Sequence, residues 1–324
     1  MRIAIIGCGL IGKKRADALR QIRNTQLVFA YDIDKTLCES FSKTYGCKYS
    51  TNWSKDLGEV DVVVVATFHD VAVDIVETCL REKKHVLCEK PLGSTLKDSL
   101  FLHELGQQMH VRLKVGFNYR HYPAVEAAKN IISKGSLGNL LYGKFTLGHA
   151  ARPNYDKEWR TDRVKAGGGA LLDPGIHIID LARYFFGDLK HIHSHLPHAF
   201  WNTYYEDNAF VNLMSDSGKT VLLHSSVTEW KNVFTIELIG DLGYLKITGR
   251  GGFYGKQKLE WNKKWAWTSG DNQPFLQEFS EDDVSFRNEL SEFFEAIEDN
   301  RDPIGNSSDN LEAIRLITDI YSCQ

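Results

Sequence analysis

Three short apolar runs early in the chain, residues 3–6, 27–31 and 62–66, are each followed by a segment whose apolar positions recur at helical spacing, the first from Ile11. Continuous apolar runs of this length alternating with helices predict βαβ units and a parallel sheet buried on both faces. Two more runs, residues 85–88 and 111–117, flank a helical segment near 96–109 and extend the same sheet. The alternation closes near Asn118, so residues 1–118 form an α/β domain with a doubly wound parallel sheet.

Past that point the pattern changes. A helix opening at Pro123 leads to Gly135, a strand follows near 140–147, and residues 174–186 carry another helical stripe. Strands then dominate. Runs at 209–214, 220–227, 233–239 and 244–247 are separated by turn signals such as Ser217-Gly218 and Asp241 to Gly243, which predict antiparallel hairpins. Phe286, Leu290, Phe293, Phe294 and Ile297 mark a helix over 285–298, and residues 311–320 repeat the pattern. Residues 119–324 are therefore expected to be an α+β domain, with its C-terminal helices as candidates to pack back on the first domain.

Composition narrows the function. A chain of 324 residues is long for one core and suits two. Its 39 Lys and Arg against 42 Asp and Glu give a net charge of −3, which offers no field for nucleic acid or an anionic membrane and favours a small-molecule partner. The longest apolar run, residues 62–66, falls far short of the roughly 18 residues of a membrane span. The six cysteines lack paired close spacing, which argues against a disulfide framework or a zinc knuckle. With a strand beginning at once at the N-terminus and no signal-peptide pattern, a cytoplasmic location is expected.

Gly7-Cys8-Gly9-Leu10-Ile11-Gly12 follows the first strand and opens the first helix. In that context glycines permit a tight turn and let backbone amides approach a pyrophosphate, which reads as a dinucleotide-binding Rossmann domain; a bare tight turn is the alternative. Asp32 ends the second strand about 20 residues beyond Gly12, where a carboxylate accepts from an adenosine ribose and repels a 2′-phosphate, favouring NAD over NADP. Asp34 competes for that role, and Lys35 keeps NADP open. The cofactor side is read as Gly7, Gly9, Leu10, Ile11, Gly12, Asp32 and Ile33.

Glu89-Lys90-Pro91 follows the strand ending at Cys88, on the carboxyl edge of the sheet where open α/β folds bind ligands. Lys90 can donate to a substrate hydroxyl and steady a developing alkoxide, and Pro91 is a candidate for a cis bond; a solvated turn lysine is the alternative. Further on, Gly167-Gly168-Gly169 precedes Asp173-Pro174, expected as N-cap and first helical residue, with His177 one turn in. Asp173 and His177, four apart, are expected on one helix face, where a carboxylate orients an imidazole for proton transfer, and Asp180 offers the same from the next turn. A capped helix with a satisfied histidine is the alternative.

Together GCGLIG, the Asp32 strand end, CEKPLG, the segment Gly116-Phe117-Asn118-Tyr119-Arg120 and GGGALLDPGIHIIDLARYFFG resemble the Gfo/Idh/MocA family of oxidoreductases, in the right order through nearly the whole chain. The resemblance implies a Rossmann domain followed by an α+β domain with a large open, mostly antiparallel sheet whose exposed face forms homodimer or homotetramer contacts. By that likeness Lys90 and His177 are the catalytic pair, Asp173 is a substrate or orienting ligand, Tyr119 lies on the substrate side, and Thr67 and Glu89 lie along the cofactor. Thr67-Phe68-His69 departs from the Thr-Pro-Asn often found there, and Ala72 replaces a usual histidine, so cofactor contacts at that point are expected to differ.

Residues 149–160 resemble a subgroup with His, Arg, Tyr and Trp-Arg ahead of the glycine run, which makes Arg160 a substrate-binding candidate. Arg152, Arg160 and Arg163 together suit a sugar acid or nucleotide sugar, with surface salt bridges as the alternative. His191, His193, His195 and His198 alternate as on one solvated strand face, and no metal is predicted. The implied activity is hydride transfer between NAD and a secondary hydroxyl or keto group of a sugar, cyclitol or nucleotide sugar. A non-catalytic NAD-binding regulator and an NAD-dependent glycosidase are the rival readings.

Overall fold

Val62–Val65 is apolar at every position because every side chain in it is buried. In the computed structural model, which describes residues 1–324 apart from 94, 159–160, 163–165 and 271–272, this strand sits inside a six-stranded parallel sheet. Its strands are β1 (Arg2–Ile6), β2 (Gln26–Tyr31), β3 (Lys48–Tyr49), β4 (Val62–Val65), β5 (His85–Cys88) and β6 (Leu113–Val115), in the order β3-β2-β1-β4-β5-β6. The order reverses between β1 and β4, which opens a crevice beyond their carboxyl ends.

Five helices accompany these strands: α1 (Leu10–Leu19), α2 (Lys35–Tyr45), α3 (Trp53–Asp56), α4 (His69–Arg81) and α5 (Leu96–Gln108). Local chemistry fixes their ends. Asp34 caps α2 by accepting from the Leu37 N–H at 3.0 Å, and Thr95 with Asp98 forms a capping box on α5. Residues 284–314 belong to the same compact unit as residues 1–118. Phe286, Leu290, Phe293 and Phe294 of the helix Ser285–Glu298 share one core with Ile3, Ile5, Phe41, Val62 and Val64.

The second compact unit comprises residues 119–283 and 315–324. Its eight strands are β7 (Leu140–Gly148), β8 (Leu189–His195), β9 (Asn208–Ser215), β10 (Thr220–Ser226), β11 (Val233–Gly240), β12 (Gly243–Thr248), β13 (Lys258–Lys263) and β14 (Phe275–Glu278), ordered β14-β13-β12-β11-β7-β10-β9-β8. Every pairing is antiparallel except β10 with β7. Alternation along β11 and β12 buries Phe234, Ile236, Leu238, Leu245 and Ile247 on one face. Helices α6 (Pro123–Ser133) and α7 (Ile176–Phe186) cover the sheet, α6 against β12 and β13 and α7 against β7 and β10.

Three expectations need correction. Helix α7 begins at Ile176, not Pro174, with Gly175 at its N-cap. Residues before it fold into consecutive turns, in which Asp173 N–H donates to Gly169 and Gly175 N–H to Ala170, so Asp173 precedes the helix and does not cap it. In β8 a bulge at Ile192 breaks the histidine alternation: His191 pairs opposite inward Leu213, while His193 and His195 pair opposite outward Asn212 and Phe210. Strands β3, β13 and β14 carry no strong apolar period, since β3 has two residues and β14 is an edge exposed at every position. No helix among the described residues is long and apolar enough to cross a membrane.

Candidate active site

In the first unit the glycine turn lies at the carboxyl end of β1. Gly7 takes φ +101°, and a Cβ there would lie 2.4 Å from the Ala66 carbonyl oxygen; a Cβ on Gly12 would lie 2.0 Å from that of Gly7. A Cβ on Gly9 would meet nothing within 4 Å. Gly9 is the N-cap of α1 yet no side chain caps it, and no acidic residue occupies the first turn. An uncapped helix N-terminus beside open space is suited to an anion.

Asp32 closes the turn from β2. Its carboxylate accepts from the Cys8 N–H at 2.7 Å and from the Asp34 N–H at 2.9 Å. Asp34, its competitor for the ribose, is used as the α2 cap. A carboxylate has about four acceptor positions, so two remain for hydroxyls. Leu10 and Ile33, apolar yet 72% and 93% exposed, flank this end of the sheet. Lys35 pairs loosely with Glu39 one helical turn on. Burial pushes the Cys8 thiol far above its usual range, so this cysteine is inert.

Thr67 stands half-buried just past β4, and Glu89 and Lys90 just past β5, with the Lys90–Pro91 peptide cis. Glu89 accepts from Arg15 Nε at 2.8 Å, and Arg15 Nη1 donates to Glu289 at 2.5 Å. Both Arg15 and Glu289 are fully buried. Burial pushes the Glu289 carboxyl up, and the Arg15 and Lys114 cations pull it back. Sequence reasoning missed this pair. Its signal was present, because Arg15 lies midway in the stripe Ile11, Arg15, Leu19, and Glu289 lies between Phe286 and Phe293 on the buried stripe of its helix.

In the second unit the structure brings Tyr119 and His177 together, with the Asp173 charge close enough to act on Tyr119. The Tyr119 ring stacks on the His177 imidazole, with centroids 3.9 Å apart and planes within 5°. Both are buried. Phe234 meets Tyr119 edge-on at 5.7 Å, and Arg250 lies over its ring at 5.1 Å. Burial pushes the Tyr119 phenol well up, a push the Arg250 charge opposes and the Asp173 charge reinforces. Asp180, expected as an orienting carboxylate, accepts from Arg120 through both oxygens at 2.8 and 2.6 Å. Arg120 comes from the turn that carries Tyr119, so this buried pair fixes Tyr119 relative to α7.

The glycine run packs against Glu206 and Leu172, beside the turns that precede α7. A Cβ on Gly169 would lie 2.2 Å from the Glu206 carbonyl oxygen. Glu206 accepts from Leu171 N–H and from the Tyr321 hydroxyl, and burial pushes its carboxyl up. Arg152 forms an exposed ion pair with Glu158, the surface alternative. Arg160 and Arg163 lie outside the described residues.

A parallel sheet in this strand order, with an uncapped glycine turn at its switch point, defines the class of dinucleotide-binding α/β proteins. The family model for oxidoreductases with an NAD-binding Rossmann fold matches residues 1–117, and that for the Gfo/Idh/MocA C-terminal domain matches residues 125–246. The chain belongs to the Gfo/Idh/MocA family of oxidoreductases.

It is 35% identical over 187 residues to glucose-6-phosphate 3-dehydrogenase of Bacillus subtilis, a match covering 57% of this chain and 53% of that protein. To myo-inositol 2-dehydrogenase of Thermotoga maritima it is 30% identical over 191 residues, 58% of this chain and 55% of that protein. The chain thus spans about half the length of these curated relatives. Among solved structures, levoglucosan dehydrogenase in complex with NADH has a TM-score of 0.87 at 20% identity, covering 99% of this chain and 96% of that one, a likeness of fold.

Proposed function

We propose that this chain is an NAD-dependent oxidoreductase that transfers hydride between the nicotinamide and a secondary hydroxyl or keto group of a sugar, cyclitol or nucleotide sugar. The observation that carries this is the open space at Gly9, where a backbone turn and an uncapped helix end are left clear while the neighbouring glycines are tightly packed. The family and the sugar and inositol dehydrogenases among its relatives support the substrate class.

When bound, NAD supplies the hydride acceptor or donor. The amides from Gly9 to Gly12 hold the diphosphate, and the free acceptor positions of Asp32 hold ribose hydroxyls. NADP is disfavoured because a 2′-phosphate would face that carboxylate. Lys90 steadies the substrate oxygen as its charge grows. His177, held flat by Tyr119, takes or returns the hydroxyl proton, and Asp173 orients the substrate or the imidazole. Tyr119 serves the substrate side, the sequence assigns Arg160 to substrate binding, and Thr67 and Glu89 serve the cofactor side.

The test is NADH absorbance across a panel of sugars, cyclitols and nucleotide sugars. Lys90→Met and His177→Ala should each lower turnover by at least about a hundredfold while NAD still binds. Unchanged turnover would refute the assigned roles. Sugar release without net NADH would mark a glycosidase, and NAD binding without either reaction a regulator. All six cysteines are free thiols, which supports a reducing, cytoplasmic setting. We assign self-association as a homodimer or homotetramer to the outward face of the eight-stranded sheet.

A further inference from the structure

The second unit carries an aromatic group that the roles above do not use. Phe200 and Trp230 are 60% and 67% exposed, and their rings meet edge to face at 5.0 Å. Phe200 also meets Trp201 at 5.0 Å, and Trp201 rests on buried Tyr155 at 5.5 Å. Exposed rings usually swing; here the backbone that carries Phe200 is tied down. The Asp207 carboxylate accepts from the backbone N–H groups of Ala199, Phe200 and Trp201 at 2.7–2.8 Å, and Trp201 Nε1 donates to the Val227 carbonyl at 2.9 Å. Burial pushes the Asp207 carboxyl up, yet those N–H donors carry it below its ordinary value.

Strand register places the group at the same end of the sheet as His177. Strand β7 ends at Gly148 opposite Val233, the first residue of β11, and Trp230 lies in the connection from β10 to β11. The next residue, Phe234, touches Tyr119, which stacks on His177. The open sheet face mixes exposed aliphatics with rings, among them Met214, Leu222, Tyr142 and Phe210. Here the exposed apolar side chains are rings, and their chain neighbours Asn202, Thr228 and Glu229 are polar. A corner of two perpendicular rings with polar borders matches a pyranose, which shows C–H groups on its faces and hydroxyls around its rim. A flat nucleobase needs only one ring face.

We propose that Phe200 and Trp230 form a stacking subsite for a pyranosyl unit other than the one that reacts, so that the substrate carries at least two sugar rings. This rests on the sugar oxidoreductase reading and extends it to a disaccharide or glycoside. Binding measured without turnover keeps the two separable: a protein that binds disaccharides through these rings but oxidises none refutes the activity and leaves the subsite standing.

Calorimetric titration of the whole chain with cellobiose, maltose, lactose, trehalose, glucose and UDP tests it. At least one disaccharide should bind about tenfold or more tightly than glucose, a preference that the Phe200→Ala/Trp230→Ala variant loses and Trp230→Tyr largely keeps. Circular dichroism confirms that each variant is folded. The subsite is overturned if no disaccharide outbinds glucose, if the double alanine variant keeps the preference, if UDP alone binds through these rings, or if the variant changes the sedimentation coefficient and so marks an interface between copies.

Discussion

Gly9 and Gly12 sit three residues apart in one turn yet meet different demands. At Gly12 the backbone of Gly7 leaves no room for a methyl group, whereas at Gly9 the space is open. Gly12→Ala should therefore lower folding stability by about 1–3 kcal/mol, read from urea unfolding. Gly9→Ala should leave that midpoint nearly unchanged and weaken NAD binding by about tenfold, because its methyl group enters the space a diphosphate needs. Equal loss of stability in both variants would mean that Gly9 is merely structural. Asp32 also serves the turn, its carboxylate accepting from the Cys8 and Asp34 N–H groups.

At the level of elements, α1 is held to the helix Ser285–Glu298 by more than apolar packing. Arg15 enters the buried interface and meets Glu289 there, while Glu89 past β5 takes its other side. Removing one partner of a buried pair leaves the other charge uncompensated. Glu289→Leu should cost about 3–5 kcal/mol of unfolding free energy, and Arg15→Met added to it should recover part of that loss. A change within 1 kcal/mol, on the scale of surface substitutions, would show that the pair is solvated. The network also fixes Glu89, the residue before Lys90. Helix α7 makes the complementary point, since its start is set by turns over Gly169 to Gly175 and its position by the Arg120–Asp180 pair.

At the scale of the whole molecule, the outward face of the eight-stranded sheet exposes apolar side chains among the described residues. Phe210, Met214 and Leu222 are exposed on β9 and β10, and a shallow pocket of ≈ 360 Å³ lined by Phe210, Leu222 and Lys144 is bordered by His193, His195 and His224. Exposed apolar side chains on a sheet face are what the proposed self-association would cover. Leu222→Glu places a charge at its centre and should shift the sedimentation profile toward monomer with little change in melting temperature. An identical profile for parent and variant would remove this face from the assembly.

Most of the first sheet was legible in the chain, because strands buried on both faces need continuous apolar runs and the helices between them need a 3.6-residue stripe. The glycine turn was legible too, since backbone crowding at Gly7 and Gly12 admits no other residue. What the chain alone could not decide was partnership between distant polar groups. Nothing in the sequence paired Asp180 with Arg120 or Arg15 with Glu289, and Asp32 competed with Asp34. Charge and hydrogen bonding act over a few ångströms in space regardless of separation along the chain, so only the folded backbone chose among them. The Tyr119–His177 stack, between residues 58 positions apart in sequence, is the same kind of decision, made by tertiary structure.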